Sequence, residues 1–99
     1  MKHFIVEITY LVPIEVINQT VAEHRKYLSS GYDQNLILCS GPLNPKTGGI
    51  AIAKAPSSTD LKSFFENDPY NKKGVASYQF TEFEPVMFQP LLHECLDTE

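Results

Sequence analysis

Cysteine is scarce in this 99-residue chain: Cys39 and Cys95 are the only two. Two thiols cannot build the disulfide framework of a small secreted domain, and a reducing compartment keeps both free. A cationic excess is missing as well. Eight Lys and Arg stand against twelve Asp and Glu, a formal charge of -4. That balance denies nucleic-acid phosphates the basic patch they need and disfavours an anionic membrane surface. Long apolar runs are absent too. The most apolar opening stretch, His3 to Val16, is interrupted by Glu7, Pro13 and Glu15, far short of the roughly 20 apolar residues of a membrane span. Glu7 also breaks any signal-peptide core, and no small-residue cleavage site follows. The cytoplasm is the expected location. No Walker loop, dinucleotide glycine fingerprint or serine nucleophile elbow occurs. His93-Glu94-Cys95 offers ligand-type side chains without a second cluster at zinc-like spacing, so neither a metal nor a cofactor is expected.

What is present is ordinary globular usage, 42% hydrophobic and 20% charged, which excludes disorder and suits one domain. Phe4, Val6, Ile8 and Tyr10 alternate with His3, Ile5, Glu7 and Thr9, the period of a strand. Pro13 fits the first turn of a helix, and Ile14, Ile17, Val21, His24 and Leu28 recur along one face of it, with Gly31 as its stop. Asn35 to Ser40 reads as a second strand, so continuously apolar that burial on both faces is expected. Gly41-Pro42 ends it, Leu43 to Gly49 is a loop, and Ile50 to Lys54 a short third strand beside Gly49, where a close approach is expected. Ser57 or Ser58 caps a helix carrying Leu61, Phe64 and Phe65, which Pro69 stops near Asp68. Val75 to Glu84 is the last strand, with a bulge expected before Phe83.

The order β-α-β-β-α-β predicts an α+β, ferredoxin-like split βαβ arrangement: a four-stranded antiparallel sheet with both helices on one face. Glu7, Thr9, Gln79 and Thr81 leave part of the other face polar, while the second strand is apolar throughout. Pairing two sheets around a symmetry axis resolves this, so a homodimer is expected. Residues 1–99 form the single domain, and 86–99, with Val86, Met87, Phe88, Leu91 and Leu92, form a tail packed on the domain or on the partner subunit.

Among residues that carry chemistry, His24 stands out. It lies on the apolar seam of the first helix, facing the sheet, and imidazole titrates near neutrality, as a general acid or base must. Asp68, in Asn67-Asp68-Pro69-Tyr70, is the first candidate for its carboxylate partner, because an acid at a helix C-terminus opposes the helix dipole. Asp33 is the second. Ser40, Gly41 and Pro42 at a strand end offer a hydroxyl and open backbone to a ligand. Tyr70, with Tyr78 and Phe80, has the character of an apolar wall for a planar substrate.

The stretches His24-Arg25-Lys26-Tyr27-Leu28, Ile37-Leu38-Cys39-Ser40-Gly41-Pro42-Leu43 and Asp68-Pro69-Tyr70 resemble, in order and spacing, the YCII-related (YciI-like) family. The resemblance spans nearly the whole chain with two departures: Val21 stands where many relatives carry an arginine, about one turn before the histidine, and the tail beyond Pro85 runs longer. It implies a dimeric α+β barrel and an active site centred on a His-Asp pair, here His24 and Asp68, with Gly41 and Pro42 matching the family's turn and Ser40 standing where other small residues also occur. It further implies cofactor-free acid/base chemistry, an elimination or isomerisation of a small cyclic or aromatic compound. Two other readings use the same residues: a pocket that binds or senses a metabolite without chemistry, and an interaction protein that recruits a partner through its apolar tail.

Overall fold

Phe4, Val6 and Ile8 are all buried along β1 (Lys2–Tyr10) in a computed structural model that describes residues 1–96. The alternation places them on one face, and the helices cover that face. After β1 come α1 (Ile14–Asn18), α2 (Val21–Asp33), β2 (Ile37–Pro42), β3 (Gly48–Ala55), α3 (Ser58–Glu66), α4 (Pro69–Lys72), β4 (Ala76–Phe83) and, beyond a 3-10 turn at Pro90–Leu92, α5 (His93–Leu96). The sheet is antiparallel in the order β2-β3-β1-β4. This is the α+β, ferredoxin-like arrangement, with β1 and β3 central. In the register, Val6 pairs with Ala51 on one side and Phe80 on the other. The core gathers Phe4, Val6, Ile17, Leu61, Phe65 and Tyr70 between sheet and helices.

Several local features differ from the sequence reading, each for a physical reason. The first helix is two helices. The amides of Gln19 and Thr20 bond back three residues, to Val16 and Ile17, which tightens and ends α1. The apolar seam survives the break, since Ile17, His24 and Leu28 are all buried. Gly31 does not stop α2. It lies inside it, where a β-carbon would come within 2.7 Å of Ile37 and 2.8 Å of Phe64. The stop is Asn35, in the left-handed region at φ 59°. Leu36 N–H bonds the Gly31 carbonyl and Asn35 N–H that of Tyr32, a Schellman closure.

β2 is an edge strand. Ile37 is buried and Leu38 half-buried, but Cys39 through Pro42 are exposed, so the apolar run is not covered on both faces. A continuous apolar stretch has the same composition at an edge as at a centre. The register shift falls between Ile37 and Cys39 rather than before Phe83. β3 begins at Gly48, where the close approach of backbones is tightest: a β-carbon there would stand 1.9 Å from the Ile8 carbonyl oxygen. Ser57 caps α3 by accepting from Asp60 N–H at 3.2 Å.

The tail returns to the sheet. Leu96, at the end of α5, is buried and its carbonyl accepts from Nε2 of His3, whose place in the β1 alternation is on the face opposite Phe4. Val86, Met87 and Leu91 remain largely exposed. Asp97, Thr98 and Glu99, the end of the expected 86–99 tail, lie outside the described residues. Among the described residues no helix is long and apolar enough to cross a membrane, and Cys39 and Cys95 are free and exposed.

Candidate active site

α2 supplies the imidazole. Its turns carry Ile17's seam forward to His24, which is 8% exposed, with Val21, Leu28 and Tyr32 above and below on the same face. The acid comes from a distant part of the sequence, where α4 packs against α2. Asp68 sits between α3 and α4 and is fully buried. It follows the C-cap of α3, Asn67, as the sequence reading had it, but it is also the N-cap of α4, followed by Pro69 at the first position, and its Oδ1 accepts from Tyr70 N–H at 3.2 Å. An acid there complements the orphan amides of a helix start.

The two helices bring the pair together. His24 Nδ1 and Asp68 Oδ1 are 2.7 Å apart. Tyr78 O–H donates to Asp68 Oδ2 at 2.7 Å. The carboxylate therefore accepts from an imidazole N–H, a backbone N–H and a phenol, a donor set that matches a group with only acceptors to offer. With Nδ1 donating to Asp68, Nε2 is the basic nitrogen, and among the described residues none engages it. The His24 ring stacks on Tyr70, centroids 3.9 Å apart and planes within 8°. Tyr10 braces Tyr70 edge-on at 5.9 Å. The imidazole is thus fixed in plane by the stack and in direction by the carboxylate.

The phenols around the pair hold their protons. Burial and then the hydrogen bond to Asp68 push Tyr78 far above the usual phenol range. Burial, Tyr10 and Asp68 push Tyr70 up to about 12, against a downward pull from Arg25. Tyr27, which donates to the Phe64 carbonyl at 2.7 Å, is raised by burial and by Asp68.

His24 opens onto a cleft of about 310 Å³ between α2 and the ends of β2 and β3. Of the residues singled out in the sequence, Ser40, Gly41, Pro42 and Tyr70 line this cleft with His24, and Asp68 stands behind the imidazole. Asp33 is exposed at the end of α2 and is not in the lining. Tyr78 and Phe80 do not form the cleft wall. They border a second, more open depression beside Lys62 and Phe65, and Tyr78 serves the site from behind, through Asp68. Sequence reasoning missed Tyr10, Arg25 and Tyr32, all in the lining. Tyr32 O–H and Ser40 Oγ are 2.7 Å apart across the mouth. Tyr32 was within reach of helical spacing, at i+8 from His24, whereas Arg25 at i+1 was not. Tyr10 ends the β1 alternation. Among the described residues no group of three His, Cys, Asp or Glu is placed to hold a metal ion.

A model of the YCII-related domain matches residues 1–84. Among solved structures, the 5-chloro-2-hydroxyhydroquinone dehydrochlorinase (TftG) of Burkholderia phenoliruptrix AC1100, in complex with 2,5-dihydroxybenzoquinone, shares the fold at a TM-score of 0.70 and 24% identity, over 85% of this chain and 94% of that one. No curated protein sequence matches the chain.

Proposed function

The chain belongs to the YCII-related family, and from that membership we propose that it is a small-molecule enzyme whose His24–Asp68 pair performs acid/base chemistry on a small cyclic or aromatic substrate. The observation that carries the reading is the 2.7 Å contact between Nδ1 and a buried carboxylate, which leaves Nε2 unengaged at a cleft. Nε2 takes a proton from the substrate. The imidazolium so formed is stabilised by Asp68. In an elimination the proton's electron pair forms the new double bond as the leaving group departs as an anion. In an isomerisation the imidazolium returns the proton at another ring position. Neither course calls for a cofactor. Tyr70 orients the imidazole by stacking, and Ser40, Gly41 and Pro42 border the substrate.

The dehydrochlorinase of similar fold acts, by its name, on a chlorinated hydroxyhydroquinone, which supports a ring substrate here. The molecule acts as a homodimer, the second copy covering the open sheet face and exposed Val86, Met87 and Leu91. Its two free thiols suit the cytoplasm.

The test is turnover on ring substrates, beginning with 5-chloro-2-hydroxyhydroquinone, read as chloride release or as deuterium uptake from D2O. His24→Gln and Asp68→Asn are expected to lower the rate roughly 10²- to 10⁴-fold, the usual worth of a positioned acid/base group. Full turnover in His24→Gln overturns the assignment. Binding without proton exchange in the wild type makes the cleft a metabolite-binding module instead.

A further inference from the structure

The chain contains a single arginine, and it stands in the cleft. Arg25 follows His24 directly on α2, and its side chain lines the same cavity. The residue is exposed, and among the described residues no carboxylate forms an ion pair with its guanidinium. Its charge is out of keeping with the rest of the molecule. The chain carries twelve acids and a formal charge of -4, yet among the described residues neither Asp nor Glu lines the cavity. Asp68, the nearest acid to the imidazole, is fully buried behind it and bonded on both oxygens. The guanidinium's field reaches inward, since it pulls the Tyr70 phenol down against the burial that pushes it up.

The rest of the lining defines what that charge meets. Val21, Leu28 and Ile50 give an apolar floor, and the Tyr32–Ser40 hydroxyl pair bounds it. One fixed cation at an apolar slot suits a flat ring with one ionised oxygen group. Guanidinium grips a carboxylate or an oxyanion through paired N–H donors and stays charged at every working pH. We propose that Arg25 is the anion-recognising residue of this cleft, and that its ligands are ring compounds bearing a carboxylate or an ionised hydroxyl. This rests on the cleft being the substrate site of the proposed enzyme, and it narrows the substrate class. Held by Arg25, the ring presents its reacting edge to Nε2 of the neighbouring residue.

The test uses two probes of one shape and different charge, 2,5-dihydroxybenzoate and 2,5-dihydroxybenzamide, titrated by calorimetry against the full-length protein. The wild type is expected to bind the anion about tenfold more tightly than the amide, and Arg25→Gln to lose about tenfold in anion affinity, the scale of one charge-assisted contact near solvent. The amide is expected to bind both proteins within twofold, and Arg25→Lys to recover most of the anion preference. Equal anion affinity in wild type and Arg25→Gln overturns the proposal, as does an equal loss for both probes or no binding of the anion to the wild type. His24→Gln separates this from the acid/base reading, because it removes the base and is expected to keep the anion preference.

Discussion

Tyr78→Phe removes one oxygen from the protein and tests how the acid is held. Asp68 is fully buried, and Tyr78 O–H is the partner of Oδ2 at 2.7 Å. Phenylalanine keeps the ring packing against Phe65, 5.7 Å between centroids, and against Phe80 at 6.4 Å. Only the hydrogen bond is lost, and a buried carboxylate oxygen is left without its donor. A hydrogen bond to a charged group contributes about 1.5–3 kcal/mol, and an orphaned buried acceptor costs its desolvation. The expected loss of stability is therefore about 2 kcal/mol, and a domain of this size loses about 4–8 °C of Tm per kcal/mol. The assay is urea denaturation with an unchanged m-value, run in a double-mutant cycle with Asp68→Asn to isolate the pair. The same variant has a signature in alkali. Tyr78 is raised above the ordinary phenol value of 10.0 by burial and by Asp68, so the native state keeps a proton that the unfolded chain releases. This stability is fully present below pH 10 and is lost as pH rises above it. In Tyr78→Phe that part of the alkaline decline disappears, while the Tyr70 contribution, between 10 and about 12, remains. A variant within 0.5 kcal/mol of wild type, about the size of a neutral surface change, with an unaltered alkaline slope, refutes the reasoning.

Two further outcomes follow from packing. Gly48→Ala drives a β-carbon to 1.9 Å from the Ile8 carbonyl oxygen, whereas a β-carbon at Gly41 meets nothing within 4 Å. The first is expected to cost about 3 kcal/mol or more and the second less than about 0.5 kcal/mol; matched thermal melts of the pair decide it. Truncation after Pro85 removes buried Leu96 and the acceptor of His3. It is expected to cost about 1–2 kcal/mol, part of a leucine's burial being offset by the entropy of ordering the tail, and to leave probe binding in the cleft intact. Unchanged urea stability contradicts the seat assigned to Leu96.

Periodicity located His24 well. The three- and four-residue spacing survives a helix break, because the turn at Gln19 and Thr20 keeps Ile17 and His24 against the same sheet. Alternation placed Phe4, Val6 and Ile8 correctly for the same reason, that a strand has only two faces. Asp68 was found for an incomplete reason. Asp-Pro-Tyr reads as a helix stop when attention falls on the residue before proline, and as a helix start when proline is taken as the first turn; the structure uses both, α3 ending at Glu66 and α4 starting after Asp68. Local pattern holds no record of the rest. That Tyr78 reaches back to Asp68, that Tyr10 braces Tyr70 and that Arg25 points into the cleft are matters of which distant elements meet. The apolar run of β2 misled for a related reason, since neighbours in the sheet, and not composition, decide which strand lies at the edge.

Asp68 closes the first turn of α4 with the same oxygen that accepts the hydrogen bond from His24 Nδ1–H. Folding that turn and arming the imidazole are therefore a single event. A chain that has wound residues 69–72 and docked α2 against them holds the imidazole in one tautomer, Nδ1–H on the carboxylate.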